Sequence, residues 1–482
     1  MSSGIEHTAR PVNSVDAEPT KKFFMEMLTR DIELSDAILD LIDNCIDGVH
    51  RVTQDKIFGN KSQYKGFFCE INISKNEFRI KDNCGGIPLP VAKEYAFKLG
   101  RDNQSAVDKN IATVGMYGIG MKRAIFKIGN QADIISRHAD DIFKVSIPST
   151  WISQKGWYFE YTMLKEDVIK KMLKEEGTQI EISQLHDNIA VQFDDESGFV
   201  KNLSVIIRQH YGYIIQQGFR ILLNGEDILP LELNLLTEEE DNNYGIKPYI
   251  YTNKINGVDV DIVVGFYRPL PGQEEIDNEL EGEYAPSESN NAGITVICND
   301  RIVLYCDKTY TTGWGDTPIP KYHTQFIAIA GVVHFRSTTP VDLPVTTTKR
   351  GLNTSSPVYL KVKERIKDGL KLYTSFTNNW KTPSADRDEV FKSTVKFNAL
   401  AQGFTKSSMV TLSPQKNAID NALVQIPNLP KPVRVKKSDI SISFKKERTQ
   451  VEELRAYFFG SVKKSAGELG SWCFDEMYSQ VE

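Results

Sequence analysis

Three short segments, met in one order between Asp40 and Gly120, constrain this chain more than any other feature. Asp40-Leu-Ile-Asp-Asn44 sets a carboxylate and a carboxamide one helical turn apart, on one face. Asp82-Asn-Cys-Gly-Gly86 follows the apolar stretch Glu77 to Ile80, so it ends a strand with an acid and two glycines. Gly115-Met-Tyr-Gly-Ile-Gly120 is a glycine-rich loop that runs into the helical pattern Met121 to Ile128.

The rest of the chain sets the frame. At 482 residues it predicts two or three domains. A formal charge of −6 gives no global reason to expect nucleic acid, though a local patch could still bind it. Six cysteines are scattered without a C-x-x-C pair, which predicts a reduced, cytoplasmic setting. Met1 to Thr20 is polar, predicting a flexible arm without a secretory leader, and no apolar run reaches membrane-spanning length.

Leu34, Ile38, Leu41, Ile42, Cys45 and Ile46 repeat at helical spacing and predict an amphipathic helix from Ile32 to Val49. Its other stripe carries Asp36, Asp40, Asn44 and Asp47. Strands are predicted at Phe67 to Ile73, Glu77 to Ile80, Ala132 to Ser136, Phe143 to Ile147 and Thr178 to Ile182, with a helix from Pro88 through Leu99. This mixture predicts an α+β sandwich over 21–245. A second α/β unit is predicted over 246–380, with strands at Tyr249 to Tyr251, Val258 to Tyr267, Gly293 to Cys298 and Phe326 to Phe335 and a helix from Val358 to Trp380. It carries an acidic insertion at 269–291. A small C-terminal region, 381–482, includes a basic segment at 431–448.

The three segments have a common chemistry. The Asn44 carboxamide oxygen suits Mg2+, which keeps several waters and takes other ligands from phosphate. Asp40, one turn away, can orient and deprotonate a water. Asp82 can accept a hydrogen bond from the exocyclic amine of adenine, and Gly86 lets backbone approach a flat base. Gly115, Gly118 and Gly120 precede Met121-Lys122, so free N–H groups at a helix start make an anion cradle. Lys122 sits in the first turn, where its charge opposes the helix dipole; a bound polyanion explains it better than helix stability does. Taken singly, an Asp-x-x-x-Asn pair is usually a solvated face, an Asp-Asn turn is ordinary, and a glycine cluster is a loop. No G-x-x-x-x-G-K-[ST] occurs, and no strand precedes the glycine loop as a dinucleotide fold requires.

Together these residues resemble the GHKL superfamily: gyrase B, heat-shock chaperones with a Bergerat nucleotide fold, histidine kinases and MutL proteins. The segments Ile-Asp-Asn44, Asp82-Asn and Tyr-Gly-Ile-Gly-Met-Lys122 are most similar to MORC and chaperone-like members. The resemblance covers about Asp31 to Ile182. It implies a Bergerat-fold ATPase domain followed by a transducer-like domain. It implies that Asn44 binds Mg2+, Asp82 reads adenine, Thr178 contacts the adenine edge and the 115–120 loop covers the phosphates of ATP. Asp40 stands where the family usually has glutamate, one methylene longer, so slow turnover is expected. Cys84 replaces the family's first glycine after the adenine aspartate. Leu343-Pro-Val-Thr-Thr-Thr-Lys349-Arg-Gly-Leu352 resembles the transducer loop that delivers a lysine to the γ-phosphate, making Lys349 the candidate and Arg350 the alternative. Asn299-Asp-Arg301 resembles a transducer strand turn, with little chemical content of its own.

The resemblance thus predicts an ATPase acting as an ATP-gated homodimeric clamp on DNA or a protein partner. A nucleotide-regulated binding module with little hydrolysis is the alternative. No dimerisation helix bearing a phospho-acceptor histidine precedes the site, which argues against a histidine kinase. The basic tail suits DNA and a solvated charge run about equally.

Overall fold

The computed structural model describes residues 19–53, 63–98, 119–170, 172–194, 197–238, 245–272, 274–276, 291–346, 349, 351–381, 385–400, 410–411, 422–432, 442–460 and 464–481. The basic segment 431–448, the insertion 269–291 and the 115–120 loop therefore lie partly outside the described residues, and the arm 1–18, with Gly115 and Gly118, wholly so.

The chain opens with helices α1 (Lys21–Arg30) and α2 (Leu34–Thr53), then strands β1 (Phe68–Ile73) and β2 (Phe78–Asp82). Where one helix was expected from Pro88, a single turn at Leu89–Val91 passes into a π-helical segment, Ala92–Ala96. Helix α3 (Gly120–Ile128) leads into β3 (Gly129–His138), β4 (Asp141–Ile147), β5 (Glu160–Met163) and β6 (Gly177–Leu185). Helix α4 (Phe199–Gln216) and strands β7 (Arg220–Leu223) and β8 (Glu226–Asp227) complete the first sheet, in the order β5-β4-β3-β6-β2-β1-β7-β8. Its neighbours are antiparallel except β1 and β7.

Alternation fixes which side chains face the helices. On β1, Cys69, Ile71 and Ile73 are buried; on β2, Phe78, Ile80 and Asp82 are. Asp82 is thus carried into the interior by the same period-two pattern that buries its apolar neighbours. Against this face lie Ile38, Ile42, Ile46 and Val49 of α2, each completely buried. Each such side chain is worth roughly 1.5–3 kcal/mol of burial. Helix α4 adds Leu203, Ile207, Tyr211 and Ile214 to the same core.

Strand β9 (Asn234–Glu238) precedes a second sheet built from β10 (Tyr249–Ile255), β11 (Val258–Phe266), β12 (Gly293–Cys298), β13 (Arg301–Asp307) and β14 (Ile329–Arg336). Helix α5 (Pro357–Asn379) packs on β10 and β11, burying Val362, Ile366, Leu370 and Tyr373. The region expected to stand apart from 381 instead supplies β15 (Thr394–Asn398), which pairs with β9, and β16 (Val410–Thr411) and β17 (Leu423–Gln425). β17 pairs with β10, giving the order β13-β12-β14-β11-β10-β17-β16. The reason is unmet backbone: without β17, β10 would be an open sheet edge. One compact unit accordingly runs to Pro432.

The second unit, from Val433, holds helices α6 (Arg448–Phe459) and α7 (Ala466–Tyr478). The rings of Phe458 and Trp472 meet at 4.3 Å between centroids, and a Ser465–Glu468 capping box starts α7. No described helix is long and apolar enough to cross a membrane.

Candidate functional site

Helix α2 carries the polar group of residues, and burial sorts them. Asp40, Asp43 and Asp47 are buried, whereas Asn44 is exposed. The helix can lie this close to the strand end because Gly48 has no Cβ: one built there would fall 2.6 Å from the Cys84 carbonyl oxygen. About one helical turn earlier, Cys45 Sγ lies 3.6 Å from Asp82 Oδ2.

Asp82 is held from both sides. The backbone N–H of Cys84 donates to its Oδ1 at 2.8 Å and that of Thr178 at 3.3 Å. Burial pushes its carboxyl up to about 6, against the opposing pull of these N–H groups and Cys45. Gly86 and Gly177 are both required by close backbone: a Cβ at either would sit 2.1 Å from a carbonyl oxygen, of Arg137 and Asp82 respectively. Asp82, Gly86 and Thr178 therefore meet at one sheet end, with α2 across them.

The start of α3 closes on Asp40. A Cβ at Gly120 would fall 3.2 Å from Asp40 Cγ, and Arg123 ion-pairs with the Asp40 carboxylate at 2.5 Å. Met121 is buried at the same helix start. Lys122 is not placed as its sequence position suggested. It is buried, and its Nζ donates to the Ala96 carbonyl at 2.9 Å, which offers its charge a partner away from the helix end.

Lys349 comes from the second sheet's side of this unit and reaches the same helix. Its Nζ lies 2.7 Å from Asp43 Oδ2 and 3.8 Å from Asp40 Oδ1. Its backbone is left-handed, φ 58°, a strained state for a residue with a Cβ. Arg350 lies outside the described residues.

Asp43, not singled out by sequence, is met by side chains from three elements, Tyr211 of α4, Arg301 of β13 and Lys349. Tyr211 donates to its Oδ1 at 2.7 Å, and Arg301 Nη1 stands 3.1 Å from Oδ2. Burial pushes its carboxyl up, but Arg301, Lys349 and Tyr211 together hold it below the usual carboxylate range. The Asn299-Asp300 turn, thought chemically bare, thus delivers Arg301 to α2. Asn299 and Asp300 both have positive φ, as a tight hairpin requires. Asp300 is itself buried and accepts from Tyr64 at 2.9 Å and Gln63 at 3.1 Å, with His334 Nε2 3.1 Å away. The same field acts on His210: burial, then Arg301, lowers it to about 4, so it is neutral.

The arrangement can seat an anion. Three cations, Arg123, Arg301 and Lys349, surround two carboxylates, Asp40 and Asp43. Arg123 Nε and Arg301 Nε are buried without a hydrogen-bond partner. Among the described residues no group of three or more His, Cys, Asp or Glu converges on a metal position. Asn44, exposed on α2, could hold a Mg2+ ion together with phosphate oxygens and water.

Residues 32–178 match the family model described as histidine kinase-, DNA gyrase B-, and HSP90-like ATPase. The match runs from the approach to α2 to the first residues of β6, so it takes in Asp40, Asn44, Asp82 and the glycine loop. A GHKL-type ATPase domain, a kind of domain that binds ATP, is present in the first sheet; the second sheet and Lys349 lie outside the match. None of the curated proteins compared matches the chain.

Proposed function

We propose that this protein binds ATP with Mg2+ between α2, the end of β2 and the 115–120 loop, and hydrolyses it. Asp82 accepts the adenine amine, Asn44 holds the metal, and Asp40 positions and deprotonates the attacking water. Mg2+, when bound, screens phosphate charge. Gly120 and the loop before it cover the phosphates, and Lys349 stabilises the γ-phosphate oxygens. The observation that carries this reading is the convergence of Lys349 Nζ on Asp40 Oδ1, 3.8 Å apart, although the two lie far apart in the chain. ATP then links the two sheets, and we read the output as an ATP-gated homodimeric clamp, of the MORC and chaperone-like kind, acting on DNA or a protein. Mass measured with a non-hydrolysable analogue and with ADP tests the clamp: a monomer in both defeats it.

A second reading, a nucleotide-regulated binding module, is favoured by one observation. The short Asp40 side chain is engaged by Arg123 at 2.5 Å rather than held open to water. Steady-state phosphate release from the wild type and Asp40→Ala separates the two readings. A loss of about 100-fold or more in the variant supports hydrolysis. Equal, negligible release with ATP binding retained supports the module.

A further inference from the structure

Two cations share Asp43 Oδ2, and they are held very differently. Arg301 is 2% exposed and rises from a β-hairpin whose strands pair with each other and whose first strand, β12, also pairs with β14. Lys349 sits on a short loop closed by the Val345–Leu352 bridge, in a left-handed backbone state. A buried carboxylate with a single cation cannot release that cation without being stranded, which is strongly unfavourable. With two, one can leave.

We propose that Asp43 and Arg301 form an exchange node for Lys349: without nucleotide Asp43 holds the lysine, and a γ-phosphate draws it away while Arg301 stays to neutralise Asp43. Asp43 and Arg301 are thus positioning residues that set how strongly the site tells a triphosphate from a diphosphate. The surplus of one positive charge in the cluster and the unpartnered Arg301 Nε fit a site completed by an anion. Tyr211, on Asp43 Oδ1 at 2.7 Å, takes part of the same load. This inference rests on the reading of Lys349 as the γ-phosphate contact.

The test is the affinity of the full chain for a non-hydrolysable ATP analogue divided by that for ADP, each with Mg2+, measured by calorimetry. Asp43→Asn weakens the competitor for Lys349, so the ratio rises by about fivefold. Arg301→Met leaves Asp43 dependent on Lys349, so the ratio falls by a similar factor. Tyr211→Phe moves it the same way by less, and Arg301→Lys stays near the wild type. A merely structural role moves Asp43→Asn and Arg301→Met together, and that result, or an unchanged ratio, overturns the proposal. Should Asp43→Asn or Arg301→Met not fold, Tyr211→Phe against Arg301→Lys decides. Lys349→Met is the control for the underlying reading. If it leaves the ratio unchanged, Lys349 does not meet the γ-phosphate; if it abolishes discrimination while the other variants do nothing, only the exchange node fails.

Discussion

Tyr64 donates its hydroxyl to Asp300 at 2.9 Å although 236 residues separate them. The same hydroxyl lies 3.3 Å from His50 Nε2 near the end of α2. One phenol thus joins α2 to the hairpin that also presents Arg301. Burial pushes the Asp300 carboxyl up, yet His334, His50 and Tyr64 hold it below its ordinary range.

Tyr64→Phe removes a hydrogen bond to a buried charge and keeps the ring. The expected cost is about 1.5–3 kcal/mol of stability. Urea unfolding of the two proteins at neutral pH checks it; equal midpoints and slopes would show that the hydroxyl contributes nothing.

Asp82→Asn separates recognition from stability. The amide keeps an oxygen for the Cys84 and Thr178 N–H groups but turns a donor toward the adenine amine, so ATP affinity should fall at least tenfold. The wild-type carboxyl, raised from 3.8 to about 6, favours the fold most below its unfolded value, and that advantage is lost as pH rises through about 6. At pH 7.5 its ionisation costs roughly 3 kcal/mol, which the neutral amide avoids. The variant's melting temperature should therefore not drop, and a clear drop would contradict this account of the site.

Adenine-nucleotide affinity of the wild type should decline as pH falls through about 6, where Asp82 takes up its proton. The decline should be absent in Asp82→Asn. Calorimetric titration with ADP between pH 5 and 8 measures both, over a range in which other groups are shared by the two proteins.

Asp40→Glu restores the arm length usual in the resembling family. Bringing the carboxylate nearer the attacking water should raise phosphate release by about tenfold, since ångström-scale misplacement is costly in such steps. A rate below that of the wild type would mean that Asp40 is not short of its target.

Gly48→Ala drives a methyl to 2.6 Å from the Cys84 carbonyl oxygen. The backbone beyond the end of β2 cannot yield as a side chain does, so α2 must shift, at about 1–3 kcal/mol. Stability and ATP affinity should fall together, as thermal unfolding with and without nucleotide will show.

Much of the first sheet was legible. The apolar stripe of α2, the strand ahead of Asp82 and the glycines at 85–86 are local patterns, and local patterns survive in a sequence. The register that buries Asp82 follows from alternation with Phe78 and Ile80. Helix α4 was also written in the chain, through Leu203, Ile207, Tyr211 and Ile214 at helical spacing, though it was not among the predicted elements. Asp43 was not legible. In Ile-Asp-Asn it looks like any solvated acid, and only the arrival of Arg301, Lys349 and Tyr211 makes it a buried one. Arg301 was hidden for the converse reason: a hairpin turn announces its geometry through Asn299 and Asp300, not the distant helix it meets. Lys122 shows the limit of dipole reasoning, because a long side chain can carry its charge off to a carbonyl. The short β17 carries too few residues for any periodicity.

That last strand bears on how the chain tolerates shortening. Trp380 Nε1 donates to the Pro430 carbonyl at 3.1 Å, and Gln425 Nε2 to that of Pro248 at 3.2 Å, so residues beyond α5 are stitched into what precedes them. A cut after Trp380 would bare the flank of Tyr249–Ile255 as a sticky template and invite self-association, whereas a cut after Pro432 leaves that flank sealed.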